Sequence, residues 1–234
     1  MKYLLFRLYA PMCSWGDIAV GEIRPCFTHP SKSAVLGLVA GALGIRRTEE
    51  DKHRALSDAI GFAVLLESMG IPLSDYHTAQ VPSGRELYCT RRDELSGERS
   101  DLNTILSKRD YRSDALYTIV LWERARCDWG LSRIKDKLEQ PEFVPFLGRK
   151  ACPPALPYEA QIIDAVSINE AIGKVKFMDI QKLGFKSNGQ RILYWDSDAE
   201  AGVEPQHIFE RRDAPLSRAR WQFDMRTEKY AVLA

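Results

Sequence analysis

Histidine is scarce and scattered in this sequence. His29, His53, His77 and His207 are the four in 234 residues, and no two have the i, i+4 or H-x-E spacing of a metal site. No metal and no cofactor is expected. Cysteine is no better arranged: Cys13, Cys26, Cys89, Cys127 and Cys152 are odd in number and lack any C-x-x-C pair. That pattern fits reduced thiols in a cytoplasmic chain better than a disulfide frame. Long apolar runs are also missing. The longest uncharged one, Ala34 to Ile45, falls short of the about 20 residues that cross a bilayer, so no membrane is expected. The opening MKYLLFRLYAP has a charge inside its apolar run and alternates like a strand, unlike a signal peptide. There is no Walker loop, no G-x-G-x-x-G and no G-x-S-x-G, hence no mark of a nucleotide-binding or acyl-transfer enzyme. Net charge is nearly absent: 33 Lys and Arg against 32 Asp and Glu leave +1, so any nucleic-acid site must come from local clustering.

What is present is an ordinary globular composition, long enough for one large domain or two small ones. The chain is organised around Arg24 to Arg47, RPCFTHPSKSAVLGLVAGALGIRR. Pro30-Ser31-Lys32-Ser33 reads as a helix start, Val35, Leu38, Val39, Ala42 and Leu43 as its apolar side, and Gly44 with Arg46 and Arg47 as its stop. Gly37 and Gly41 leave a smooth strip where another backbone can approach. Lys32 and two hydroxyls beside a helix N-terminus are suited to a phosphate. The same residues suit a capped core helix with one solvated lysine, the commoner use of such a helix start.

In chain order, Lys2 to Tyr9 reads as a buried strand, Glu49 to Ser57 as a charged helix, and Ile60 to Leu66 as a second strand. From Ser74 to Asp114 apolar periodicity is lost. Arg85, Arg91, Arg92, Arg99, Lys108, Arg109 and Arg112 are interleaved there with Tyr76, His77, Tyr88 and Tyr111, and with as many acids. Roughly forty residues of polar connection inside a compact domain are unusual and often functional. An extended arm or hairpin that docks on something larger is expected. Leu116 to Trp122 reads as a third strand and Trp129 to Leu138 as an amphipathic helix. Phe146 to Pro153 is a glycine-containing loop with the cations Arg149 and Lys150, and Ala160 to Val166 a fourth strand. The order is βαββαβ, which gives an α+β, ferredoxin-like (RRM-like) expectation for residues 1–165. Residues 166–234 read as a β-rich extension or lobe, with strands at Lys176 to Ile180, Arg191 to Trp195 and Trp221 to Val232. Arg211, Arg212, Arg218 and Arg220 form a loosely basic stretch between the last two.

Two chemistries suit these residues. RNA holding needs cations aimed at phosphates and planes for splayed bases, and Arg24, Lys32, Arg149, Lys150, Arg109 and Tyr111 supply the types. Arg149-Lys150 equally suits a solvated turn. Metal-independent RNA cleavage needs a base, an acid and a cation, for which His77, Tyr111 and Lys108 are the candidates if the arm folds back.

Five motifs, in order, carry a resemblance: LLFRLYAPMCSWG; the Arg24 to Arg47 stretch; Asp75-Tyr76-His77-Thr78; Tyr111-x-x-Asp114-Ala115; and Phe146 to Pro153. Together they resemble the type I-E branch of the CRISPR-associated Cas-five family, one of the repeat-associated mysterious proteins built on ferredoxin-like folds. The resemblance covers residues 1–165 well and the tail loosely. It implies a subunit of Cascade, the crRNA-guided antiviral complex, that caps one end and grips the 5′ handle of crRNA. It also implies that a thumb at Asp75 to Asp114 reaches a Cas-seven type backbone subunit. The large PAM-reading subunit would be touched directly and target DNA only indirectly. Handle-gripping positions would be Arg24, Lys32, Ser33 and Gly148 to Lys150, with His77, Arg109 and Tyr111 on the arm. Type I-C relatives cleave repeat RNA, but the I-E branch leaves that task to another subunit, so a non-catalytic chain is expected. Ser31 and Cys13 depart from the family's usual threonine and glutamine without removing charge.

Overall fold

The structure, a computed structural model, describes residues 1–84, 87–125, 128–179 and 190–233. Arg85 and Glu86 of the arm, Cys127, and the end of the strand expected at Lys176 to Ile180 lie outside them.

Strand β1 (Lys2–Tyr9) sends Leu4, Phe6 and Leu8 to one face and Tyr3 and Leu5 to the other, and both sets are buried. Two short strands follow, β2 (Met12–Cys13) and β3 (Ile23–Arg24). Helix α1 (Lys32–Ala42) begins where the Ser31 hydroxyl accepts from the Ala34 N–H, the cap that the sequence announces. Helix α2 (Glu50–Ala59) runs directly into β4 (Ile60–Ser68). Then come β5 (Ile71–Pro82), the single turn α3 (Arg91–Glu94), β6 (Leu102–Ser113), β7 (Leu116–Glu123), α4 (Gly130–Glu139) and β8 (Gln161–Asp164). Helix α5 (Ile168–Lys174), which the sequence reading did not anticipate, precedes β9 (Arg191–Asp196), β10 (His207–Ser217) and β11 (Gln222–Leu233).

The larger sheet has the order β10-β11-β9-β4-β7-β1-β8 and is antiparallel throughout. One face, with Leu4, Phe6, Phe62, Val64 and Ile119, is covered by α1, by Leu56 of α2, and by Leu131, Ile134 and Leu138 of α4. The other face, with Leu5, Leu65, Val120 and Trp122, is covered by Ile168, Ala171 and Ile172 of α5. Each such buried side chain stabilises the fold by about 1.5–3 kcal/mol over leaving it in water. Gly61 on β4 lies opposite Trp122, and a Cβ there would meet the indole at 2.0 Å, so the bare backbone makes room for the ring.

The tail continues this sheet: β9 pairs with β4 (Ala63↔Trp195, Leu66↔Ile192), and β11 and β10 follow. Residues 176–179 are not a strand, and the loosely basic stretch at Arg211 and Arg212 is inside β10.

The polar segment forms a long hairpin. β5 and β6 pair from Ile71↔Ser113 to Pro82↔Leu102, so the arm starts slightly before Ser74. β2 and β3 brace only its base, with Cys13↔Arg112 antiparallel and Arg24↔Arg109 parallel. A two-stranded ribbon is barely stable by itself in water, so the pairing of β5 with β6 and the brace at its base are what hold the arm in this chain.

Candidate nucleic-acid interface at the base of the arm

The α1 N-terminus is not an open phosphate site. The Lys32 backbone N–H donates to Asp213 Oδ2 at 2.8 Å, so a carboxylate of β10 already occupies the helix end. Lys32 itself is buried, its Nζ 3.1 Å from Asp196 Oδ2. Burial pulls its pKa down while Asp196 opposes the shift. Ser33 is buried as well, its hydroxyl 2.9 Å from that of Ser31. Lys32 and Ser33 therefore leave the set of candidate RNA contacts. The glycine strip is used differently too: the Arg218 guanidinium, not a backbone, lies 3.4 Å from where a Gly37 Cβ would be.

Around Lys32 lies a buried ionic network that locks the tail to the helix start. Arg226 grips Asp213 with Nε at 2.7 Å and Nη2 at 2.9 Å, and Asp196 with Nη1 at 2.9 Å. Glu228 accepts from Arg226 and meets His29 Nε2 at 3.1 Å. Burial alone would raise the Glu228 pKa, but the His29 hydrogen bond and the Arg226 and Arg211 charges bring it down to about 2. Burial pushes His29 below its usual range, with Arg211 adding to the effect, and its ring stacks on Tyr194 at 3.7 Å.

The second loop does assemble a site. The Ser14 N–H donates to the Leu147 carbonyl at 3.1 Å, and the loop closes on itself through Leu147 N–H to Cys152 and Cys152 N–H to Arg149. Gly148 has a φ of +87°, and a Cβ there would lie 1.7 Å from the Ser14 carbonyl oxygen, so only glycine can pass. This docking lays the Arg149 guanidinium over the Tyr111 ring at 4.5 Å, with Nη2 donating to the Arg24 carbonyl at 3.4 Å. Arg149 Nη1 is left without a hydrogen-bond partner among the described residues. Tyr111 is only 5% exposed, so it is a platform beneath Arg149 and not itself a stacking surface for a base. Arg24 is exposed beside it, its guanidinium folded onto the Gly21 and Ile23 carbonyls. Arg109 lies two residues along β6 on the Tyr111 face, and Lys150 is exposed next to Arg149. Among the described residues no carboxylate lies within ion-pair distance of Arg24, Lys108, Arg109, Arg112, Arg149 or Lys150. The base of the arm is thus a locally cationic notch on a chain of nearly neutral total charge.

The cleavage trio is not brought together. In the β5–β6 register His77 faces Ser107 and Leu73 faces Tyr111, so His77 and Tyr111 are four residues apart along the ribbon, about 13 Å. Lys108 alternates to the opposite face. His77 Nε2 is instead 2.5 Å from Asp75 Oδ2 on its own strand. Among the described residues no group of three or more His, Cys, Asp or Glu side chains is placed to hold a metal ion, and no helix is long and apolar enough to cross a membrane.

Comparison with known proteins gives the family and the fold. The profile of the family described as CRISPR-associated protein (Cas_Cas5) matches residues 3–228. The chain belongs to the CRISPR-associated Cas5 family. The CRISPR system Cascade subunit CasD of Escherichia coli (strain K12) is 30% identical over 242 residues, covering 99% of this chain and 96% of the relative. A chain of a solved CRISPR RNA-guided surveillance complex superposes with a TM-score of 0.68 at 22% identity, covering 98% of this chain and 89% of that one. A crystal structure of a Cas protein gives 0.60 at 22% identity, with 99% and 94% covered. These two establish a shared mixed helix-and-strand fold.

For this Cas5-family chain the sequence reading missed two parts of the site. Ser14, whose carbonyl sets the Gly148 requirement, gives no signal of its own. Arg112, although named among the arm's cations, gives no hint that it pairs with Cys13 at the brace.

Proposed function

We propose that this chain is a non-catalytic subunit of a Cascade-type, CRISPR RNA-guided surveillance complex, and that the notch at the arm base holds the 5′ handle of crRNA. The observation that carries this is Arg149 fixed on Tyr111 beside Arg24, with Arg109 and Lys150 near and, among the described residues, no carboxylate within ion-pair distance of them. Such a notch recognises sugar–phosphate by charge and shape, the way single-stranded ends of RNA are commonly held. The hairpin would extend to the neighbouring backbone subunit, and the remaining surface would meet the large subunit, leaving target DNA an indirect partner. A cytoplasmic setting fits the four described cysteines, all free. The strand order β8-β1-β7-β4 is fourth, first, third, second in the βαββαβ sequence, which supports a ferredoxin-like reading of the core.

The test is a reconstituted complex carrying Arg149→Ala with Lys150→Ala. Retention of crRNA should weaken and the negative slope of log affinity against log salt should become shallower by about two, roughly one for each phosphate that is no longer neutralised. Bound RNA should stay intact in EDTA. Unchanged retention and slope would refute the assignment.

A further inference from the structure

The β10–β11 turn displays a tryptophan in a setting that neither the core nor the arm explains. Trp221 is 59% exposed and has a φ of +58°, a left-handed conformation that a bulky residue rarely adopts. The Arg47 guanidinium is stacked on the indole at 4.5 Å and is held there, Nε donating to the Arg218 carbonyl at 2.9 Å and Nη2 to the Ala219 carbonyl at 3.2 Å. Phe223 meets the ring at 5.9 Å in an edge arrangement. The indole is therefore braced by a cation and a second ring while most of its surface faces water.

The charge around it is only partly compensated, Glu50 being the acid that acts on Arg218 from beyond ion-pair distance. Arg218 is buried and its guanidinium lies 6.0 Å from the same indole. It donates to the Ser33 carbonyl, its Nε has no partner among the described residues, and no described carboxylate is within ion-pair distance. Burial, with Arg47 next, pulls its pKa down to about 10. Glu50, the nearby acid, is engaged by the turn itself, accepting from the Ser217 hydroxyl at 2.9 Å and the Ala219 N–H at 2.6 Å. Arg46 and Arg220 are exposed, and among the described residues neither has a carboxylate within ion-pair distance of its side chain, although Glu49 accepts from the Arg46 N–H. A buried cation without a direct ion-pair partner is costly, and an anion brought to the turn would relieve part of that cost.

We propose that this turn is a second nucleic-acid contact, separate from the arm base, where Trp221 stacks an unpaired base and Arg46, Arg47 and Arg220 receive the flanking phosphates. A single strand presents a planar apolar ring between two negative charges, which matches a flat exposed indole between arginines. An acidic protein surface would satisfy the arginines and leave the indole without a matching partner. The stacking term is insensitive to sequence because every base has a π-face. This inference does not depend on the arm base gripping crRNA.

The test uses the full chain and labelled oligothymidylate and oligouridylate of about 15 nucleotides, so that DNA and RNA are separate arms. Binding is read by anisotropy and by quenching of tryptophan emission. Trp221→Ala should weaken binding on the order of tenfold and remove the quenched component, while Trp221→Phe should keep most of the affinity. In an Arg149→Ala, Lys150→Ala background the effect of Trp221→Ala should persist, which separates this site from the notch. Equal affinity and quenching in a folded Trp221→Ala chain would overturn the proposal. So would quenching through Trp221 by polyglutamate but by neither oligonucleotide, which would assign the turn to an acidic protein.

Discussion

Replacing Asp196 by alanine should be among the most damaging single changes outside the apolar core. Its carboxylate is 1% exposed and holds four donors: Arg226 Nη1 at 2.9 Å, Lys32 Nζ at 3.1 Å, Arg124 Nη2 at 2.5 Å and the Phe62 N–H at 3.0 Å. Arg226 would keep Asp213 and Glu228, and Arg124 would keep Asp198. Among the described residues Lys32 has no second carboxylate within ion-pair distance and the Phe62 N–H has no second acceptor of this kind, so the loss falls on those two. Breaking a buried pair from one side costs about 3–5 kcal/mol, part of it overlapping the cost of about 1–3 kcal/mol for an orphaned buried donor. With about 2–4 °C of Tm per kcal/mol for a chain of this size, a drop of about 8–16 °C follows for a loss of about 4 kcal/mol. Thermal unfolding followed by circular dichroism measures it. Asp198→Ala is the control, since its carboxylate is 58% exposed and such pairs contribute about 0–1 kcal/mol. Pairing Asp196→Leu with Lys32→Met should recover most of the loss, because apolar groups leave no charge unpaired. A Tm within about 2 °C of the parent for Asp196→Ala would refute the reasoning.

Acid should loosen the same network. The folded Glu228 pKa of about 2 lies below the unfolded value, so its stabilisation is complete above about pH 4.5 and is lost as pH falls toward 2. Burial depresses His29, so protons bind the unfolded chain first and stability begins to fall below about pH 6.5, in the same direction. Urea midpoints from pH 7 to pH 4 should decline steadily, and a midpoint that is flat or rises toward pH 4 would count against the network. Gly148→Ala should cost at least about 2 kcal/mol through the left-handed backbone and the clash with Ser14. Because it also lifts Arg149 from Tyr111, crRNA retention should fall about as far as in the Arg149→Ala, Lys150→Ala complex. Retention at the parent level would show that the loop conformation is irrelevant to holding.

Legibility in the sequence followed burial. KYLLFRLY, IGFAVLLES and LYTIVLWE announce strands because both faces of the central sheet are covered, α1 shows as an apolar run behind its Ser31 cap, and α4 shows by its single apolar side. The arm reads as polar connection because β5 and β6 pair with each other and are largely solvated, which leaves no apolar period to detect. β10 is hidden for a different reason. Its inward positions include Arg211 and Asp213, which break the alternation that a buried strand would show. The seven residues of α5 are too short for a helical period to emerge. Lys32 looks like a phosphate ligand because the sequence shows its hydroxyl neighbours and not Asp196, 164 positions away.

The same long-range pairing explains how a chain of net charge +1 can carry a cationic interface. Net charge sums all ionisable groups with equal weight, whereas the potential at a surface depends on which charges remain uncompensated there. Asp196, Asp213 and Glu228 are turned inward and neutralise Lys32, Arg211 and Arg226, so none of these six acts at the arm base. On the arm, Asp75 is paired with His77 and Asp110 accepts from Ser74, so neither acid screens Arg149 by direct contact. Arg24, Arg109, Arg149 and Lys150 are left, and the glycine at 148 brings the loop close enough to Ser14 for Arg149 to reach the brace. The ionic lock that fastens β10 and β11 to α1 holds as many cations as acids in these six residues, so it leaves the sum unchanged, and the cationic character of the arm base comes from where the remaining charges are placed.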